Sequence, residues 1–143
     1  MRLYTNMQMS IIPMIIFSLL AGTLSTMNIW VAKRDHMRFH LNDVYMILLM
    51  TSWMVLFDSV YNNKPIFIAM SSVAIVIVVY CIRTQTFISD SQFINGMIPH
   101  HSMAITMSEK IKEKSTDPNV VGLANNIIRT QNEEIVYMKN LGY

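Results

Sequence analysis

The chain is poor in charge and in cysteine. Asp, Glu, Lys and Arg make up 14% of its 143 residues, against about 25% in a typical soluble domain. A single cysteine, Cys81, excludes an intrachain disulfide and leaves the redox compartment unspecified. At the end of an apolar run it reads as a small packing residue. The net charge of +2 is small and dispersed, which excludes the basic footprint of a nucleic-acid binder. Also missing are a Gly-rich phosphate loop, a nucleophile–base–acid set and any Glu-x-x-His. The last is what a ferritin-like di-iron centre needs on facing helices. No catalytic constellation is left to assign.

The shortage of charge is local. No Asp, Glu, Lys or Arg occurs from Leu3 to Ala32 or from Ile66 to Ile82, while the last third is rich in Glu, Lys, Asn and Gln. The pattern predicts a membrane region over 1–86 and a water-exposed helical domain over 87–143. A helix needs roughly 20 apolar residues to cross the hydrocarbon core. Three spans are expected, at 10–32, 42–61 and 66–83. The first is longer than a signal-peptide core and has Trp30 near an interface. Met7, Met9, Met14, Met46, Met50, Met54 and Met70 read as packing residues of these runs. The middle run, Val44 to Phe57 between Asp43 and Asp58, covers only about 21 Å as a helix. It crosses if Asp58 and Tyr61 lie in the headgroup layer. The third is rich in β-branched residues, yet an isolated strand in lipid leaves its backbone unpaired, so helix is favoured. With three crossings, Lys33, Arg34, Arg38 and Arg83 share one side against Arg2 and Lys64 on the other. This bias places the carboxy-terminal domain in the cytoplasm.

Beyond Arg83, "SDSQ" from Ser89 starts a helix, with Gln92 at the reciprocal position of a capping box. Phe93, Met97, Ala104, Met107 and Ile111 then recur at helical spacing with His100 at the centre of their stripe, which is expected to be buried. His101 lies about 100° round from His100, and Pro99 falls on the far face. Asp117 caps a second helix with Pro118 in its first turn. Its stripe of Val121, Ala124, Ile128, Ile135 and Met138 is interrupted by Gln131 and edged by Glu134. Two helices cannot enclose a core alone. The hairpin is therefore expected to double into a four-helix bundle as a homodimer, or to pack on the membrane part.

The segment "GMIPHHSMAITM" crowds two histidines and three methionines into twelve residues. Core packing is the plain alternative, because buried histidines are commonly hydrogen-bonded core residues and Met fills irregular gaps. Spacing argues for a metal. Met97, Met103 and Met107 stand at i−3, i+3 and i+7 from His100, so one helix can aim imidazole and thioether groups at one patch. Such a soft set suits copper(I) and suits magnesium or calcium poorly. Zinc or copper(II) is the second choice, through the histidines with Glu134. A further pair, His36 and His40 in "HMRFH", offers a secondary metal site or a basic loop for lipid headgroups.

These residues carry a resemblance. "DSQFINGMIPHHSMAITM" with "ANNIIRTQNEEIVYMKNL" resembles a family of small helical domains catalogued as of unknown function. Its pattern is D-x-x-F-x-x-x-M-I-x-H-H-x-x-A-I-x-M, closed by Q-x-x-E-I-x-x-M. Asp90, Phe93, Met97, Ile98, His100, His101, Ala104, Ile105 and Met107 match the first part; Gln131, Glu134, Ile135 and Met138 match the second. The resemblance implies a ferritin-like bundle, here half of one, and copper binding as described for some members. It implies His100, His101 and Met97 as first ligands, then Met103, Met107 and Met138, with Gln131 and Glu134 orienting the imidazoles. The chain departs from the family's frequent Trp-Leu ending with Asn140 and Leu141, and it has one hairpin where many members are longer. The family's usual exported setting opposes the charge-based topology. A non-catalytic membrane assembly protein with structural histidines is the alternative function.

Overall fold

A computed structural model describes residues 10–142; Arg2, Met7, Met9 and Tyr143 lie outside the described residues. The fold is all-α, with five α-helices among those residues: α1 (Ile11–Leu24), α2 (Leu41–Tyr61), α3 (Pro65–Thr84), α4 (Asp90–Lys112) and α5 (Pro118–Asn140). Two short 3-10 turns, Met27–Trp30 and Arg34–His36, lie between α1 and α2. Three helical stretches are long and apolar enough to cross a membrane: Ile11–Trp30, Leu41–Tyr61 and Pro65–Thr84. The short middle run thus sits inside a helix of 21 residues, about 31 Å long at 1.5 Å per residue. The first expected span is not one continuous α-helix. It stops after 14 residues at Leu24, and a 3-10 turn follows.

The chain divides into two compact units: residues 10–24 with 44–86, and residues 25–43 with 87–142. In the first unit small residues mark the places where helices come close, as is usual between membrane helices. A methyl group on Gly22 would lie 3.0 Å from Met50 Cε and 3.1 Å from Ile47 Cγ2, so α1 and α2 approach closely there and a larger residue would require those side chains to shift. Asp58 takes part in the turn after α2. Its carboxylate accepts from Asn62 Nδ2 at 2.8 Å and pairs with Lys64 Nζ at 3.2 Å, as suits the end of a span. The turn needs Asn63 at φ 52°, and Pro65 then opens α3 where its missing N–H is harmless.

The second unit is the hairpin α4–α5 with a strap, residues 25–43, laid across it. Ser89 caps α4, its side chain accepting from Gln92 N–H at 3.3 Å, and Asp117 caps α5, accepting from Asn119 N–H at 2.8 Å. Both caps fall where the sequence puts them. Gln92, however, does not reach back to close a capping box; its Oε1 accepts from Leu41 N–H of the strap at 2.7 Å. The core is Ile94, Ile98, Ile105, Ile135 and Met138, with Met97 and Ile128 packed against it. The strap supplies the second layer that two helices lack. It is folded on itself by Asn28, which donates to the Arg38 carbonyl (2.8 Å) and accepts from Arg38 N–H (2.9 Å).

Candidate metal centre

The side of α4 that is buried is not the one its spacing suggests. Ile94, Ile98 and Ile105 face α5, while Gly96, Pro99 and Ser102 are buried under the strap. The stripe expected to be buried is instead the open side: Phe93 is 53%, Met107 55% and Ile111 42% exposed, and His100 is exposed with them. α4 has two apolar arcs, and the isoleucines, more apolar and better shaped than Met and Ala, occupy the inner one. Pro99, expected on the far face, is fully buried, and a residue without an N–H donor loses nothing by lying under the strap.

His101 stands at the boundary between the core and the open stripe. Its Nδ1 is buried and lies 3.0 Å from Glu134 Oε2 of α5, an ion-pair contact rather than an aligned N–H···O hydrogen bond. Gln131 Nε2 donates to the same carboxylate oxygen at 3.2 Å. Burial pushes the His101 imidazole below its ordinary range; Glu134 opposes this and neighbouring His100 reinforces it. A neutral ring keeps a nitrogen lone pair for a metal. The His100 ring is tilted 60° to that of His101, with centroids 6.1 Å apart.

The structure therefore brings His101, Glu134 and Gln131 together with His100 beside them. It separates the methionines. Met138 is buried in the core and Met97 packs on that core, Met103 is half-buried, and Met107 is exposed. Among the described residues no group of three His, Cys, Asp or Glu side chains could hold a metal ion. The donor set of one chain thus lacks the several nitrogen and oxygen ligands that zinc wants.

His36 and His40 leave the expected loop surface and are both buried, at 4% and 2% exposure. His36 Nδ1 meets Ser102 Oγ at 2.9 Å, and the same oxygen accepts from Ala32 N–H at 2.8 Å. With the proton on Nε2, on the side of Asp35 Oδ1 at 3.8 Å, the Ser102 hydroxyl donates to His36 Nδ1 while accepting from Ala32 N–H. Asp35 also pairs with Lys139 of α5 at 2.6 Å, a contact that holds its carboxyl below the usual range. His40 lies over Gly96, where an added Cβ would stand 3.3 Å from its Nδ1. Its Nε2 is 3.4 Å from Asp43 Oδ2. Burial pushes both imidazoles down, with a nearby Asp opposing in each case. Gly96 and Ser102 are six residues apart, about 9 Å along α4, so the two histidines contact separate places on the helix.

Sequence reasoning passed over Ser102, Gly96 and Asp43. The available signal was Ser102, a small residue about half a turn from the stripe of Phe93 and Met107; Gly96 and Ser108 fall on other sides of α4.

Taken together, this is an all-α chain with three apolar helices long enough to cross a membrane and a helical hairpin that carries a His pair beside a carboxylate. The family described as "Domain of unknown function (DUF305)" matches residues 82–142. "Uncharacterized protein L153" of Acanthamoeba polyphaga mimivirus is 46% identical over 136 residues, covering 92% of this chain and 90% of its own length. The chain belongs to this family of helical domains, and the likeness to the viral protein extends through its apolar helices. No solved structure matches it.

Proposed function

We propose that the protein is a membrane-anchored metal-binding protein whose hairpin takes copper(I) for storage, buffering or handover. The observation that carries this reading is His101, an imidazole kept neutral by burial and set against Glu134, with His100 exposed beside it. The carboxylate lies 3.0 Å from Nδ1, on the side where outer partners sit at metal-bound histidines, which leaves Nε2 as the nitrogen for a metal. His100, His101 and Met97 are the first ligands, and Met103 stands next to them on α4. Met107 and Met138 would need movement to join, since one is exposed and the other buried in the core. The charge bias of the loops puts the hairpin on the cytoplasmic side.

Copper(I) titration of the full chain under reducing conditions tests the reading, repeated with His100→Ala/His101→Ala. Tight binding that the double substitution weakens at least a hundredfold is expected. Weak binding that it leaves unchanged would sink the copper reading and favour structural histidines. Reporter fusions behind the hairpin and within Asn62–Lys64 should report opposite sides, the hairpin facing the cytoplasm.

A further inference from the structure

The open side of the hairpin has an internal order. On α4 the exposed or half-exposed residues Phe93, Met97, His100, Ala104, Met107 and Ile111 follow one another at spacings of 4, 3, 4, 3 and 4. On α5 the residues Leu123, Ile127, Thr130, Glu134, Tyr137 and Leu141 repeat the same spacings. An average of 3.5 residues is the seam spacing of helices that pack lengthwise on other helices. None of the twelve is buried within the chain.

Both seams lie on one side of the hairpin. Glu134 belongs to the α5 seam and touches His101, which borders the α4 seam between Met97 and the core. At 100° per residue the middle of the α4 seam is half a turn from Ser102, which is under the strap. The strap therefore covers the side of Ser102 and leaves a two-helix apolar face, which strap residue Trp30 borders beside Met107 and Ile111. Each helix has 23 residues, so the face is about 35 Å long by about 20 Å across two helices. That is roughly 700 Å², close to the ~800 Å² per partner that stable interfaces bury.

We propose that a second copy of this chain covers this face, hairpin against hairpin, and that the four-helix bundle so formed brings His100, His101 and Glu134 of both copies to its centre. The face is self-complementary in polarity. Its polar groups His100, His101, Thr130 and Glu134 sit along the middle stretch between apolar ends, so polar groups of one copy meet those of the other. A lipid surface fits worse, because Glu134 would then be pressed toward hydrocarbon. Among the described residues one chain offers no group of three His, Cys, Asp or Glu side chains for a metal, and the second copy doubles the imidazoles. The interface stands on its own observations; the shared site rests on the copper reading.

The test weighs the full chain in mild detergent with chelator present, by light scattering after size exclusion. A metal-free dimer is expected. Phe93→Glu/Leu123→Glu, at two positions 53% and 61% exposed, should give a monomer of unchanged helicity. Val136→Glu, equally exposed at 59% but off both seams, should stay dimeric, and Tyr137→Glu should repeat the seam result. A monomeric wild type, a dimer that survives the seam charges, or equal dissociation by Val136→Glu would overturn the interface. Copper(I) should bind the monomeric variant at least tenfold more weakly than the dimer. Equal affinity would refute the shared site and leave the copper reading intact, whereas a dimer that binds no copper would sink that reading and leave the interface.

Discussion

Replacing Ser102 by alanine should loosen the strap from α4 without disturbing the rest of the hairpin. Ser102 is wholly buried, and its Oγ joins Ala32 N–H at 2.8 Å and His36 Nδ1 at 2.9 Å. The two partners are stranded unequally. Ala32 is exposed, so water can replace its bond at a cost of about 0.5–1 kcal/mol. His36 is 4% exposed and its orphaned nitrogen costs about 1–3 kcal/mol. The sum is about 1.5–4 kcal/mol, which at 1.4 kcal/mol per decade is about 10- to 700-fold. Hydrogen exchange of the full chain in micelles reads this directly. Peptides spanning 31–41 should exchange faster by that factor in Ser102→Ala, while those from 118–128 change little. Exchange within threefold of wild type over 31–41, or an equal rise throughout the hairpin, would refute the reasoning.

Ile105→Ala removes a core side chain at 2% exposure and should cost about 2–5 kcal/mol, seen as an early loss of helical signal on thermal unfolding; a negligible shift would show that α4 does not pack as described. Gly122→Ala, with nothing within 4 Å of the new methyl, should stabilise α5 by about 0.5–1 kcal/mol. Gly96→Ala sets a methyl 3.3 Å from the buried His40 ring and should lose that gain to overpacking of about 1–3 kcal/mol, so the two alanines should move the melting temperature in opposite directions. Acid should weaken the second unit. His36, His40 and His101 are all held below the ordinary range by burial, so between those lowered values and about 6.5 the unfolded chain binds more protons. Their contribution is complete above about pH 6.5 and is lost as pH falls below it. Exchange over 31–41 should therefore be slower at pH 7.5 than at pH 5.5 once intrinsic rates are corrected, and the reverse order would mean that pairing of His40 with Asp43 outweighs burial.

Most of the architecture was legible because its signals are local. Charge-free runs mark the apolar helices, and Ser89, Asp117 and Pro118 set helix starts through side chains a few residues from the backbone they serve. The end of α1 was passed over. From Ser10 to Ala32 no charge marks a boundary, and the small polar cluster Thr23, Ser25, Thr26 and Asn28, where the helix stops at Leu24, was read as part of the span. The 3-10 turn Met27–Trp30 belongs with the hairpin, where Ala32 N–H bonds Ser102, seventy residues away. The role of Gln92 was misassigned for a related reason. A capping box and a bond to Leu41 N–H use the same acceptor, and only the position of the strap decides between them.

The candidate site was half legible for a different reason. Periodicity shows that α4 has an apolar stripe around His100, but not which of two stripes is filled inside one chain. Ile94, Ile98 and Ile105 form one; Phe93, Met97, Ala104, Met107 and Ile111 form the other. Burial in a single chain selects the isoleucines, and the composition of the loser then becomes informative. A helix facing water on that side would be expected to carry charge there, yet from Ser91 to Ser108 α4 has none. The same outward side holds a histidine at the middle of a regular seam. A polar residue at one seam position sets register and partner at some cost in stability, which makes His100 meaningful on either reading. As a ligand it stands beside His101, ring centroids 6.1 Å apart, and needs further donors to complete a site; as a register mark it needs a second helix. Both needs are met by the same missing neighbour, so removing His100 should separate them. His100→Leu should tighten the metal-free dimer while abolishing the shared copper site. A weakened dimer would instead assign His100 a hydrogen bond across the interface.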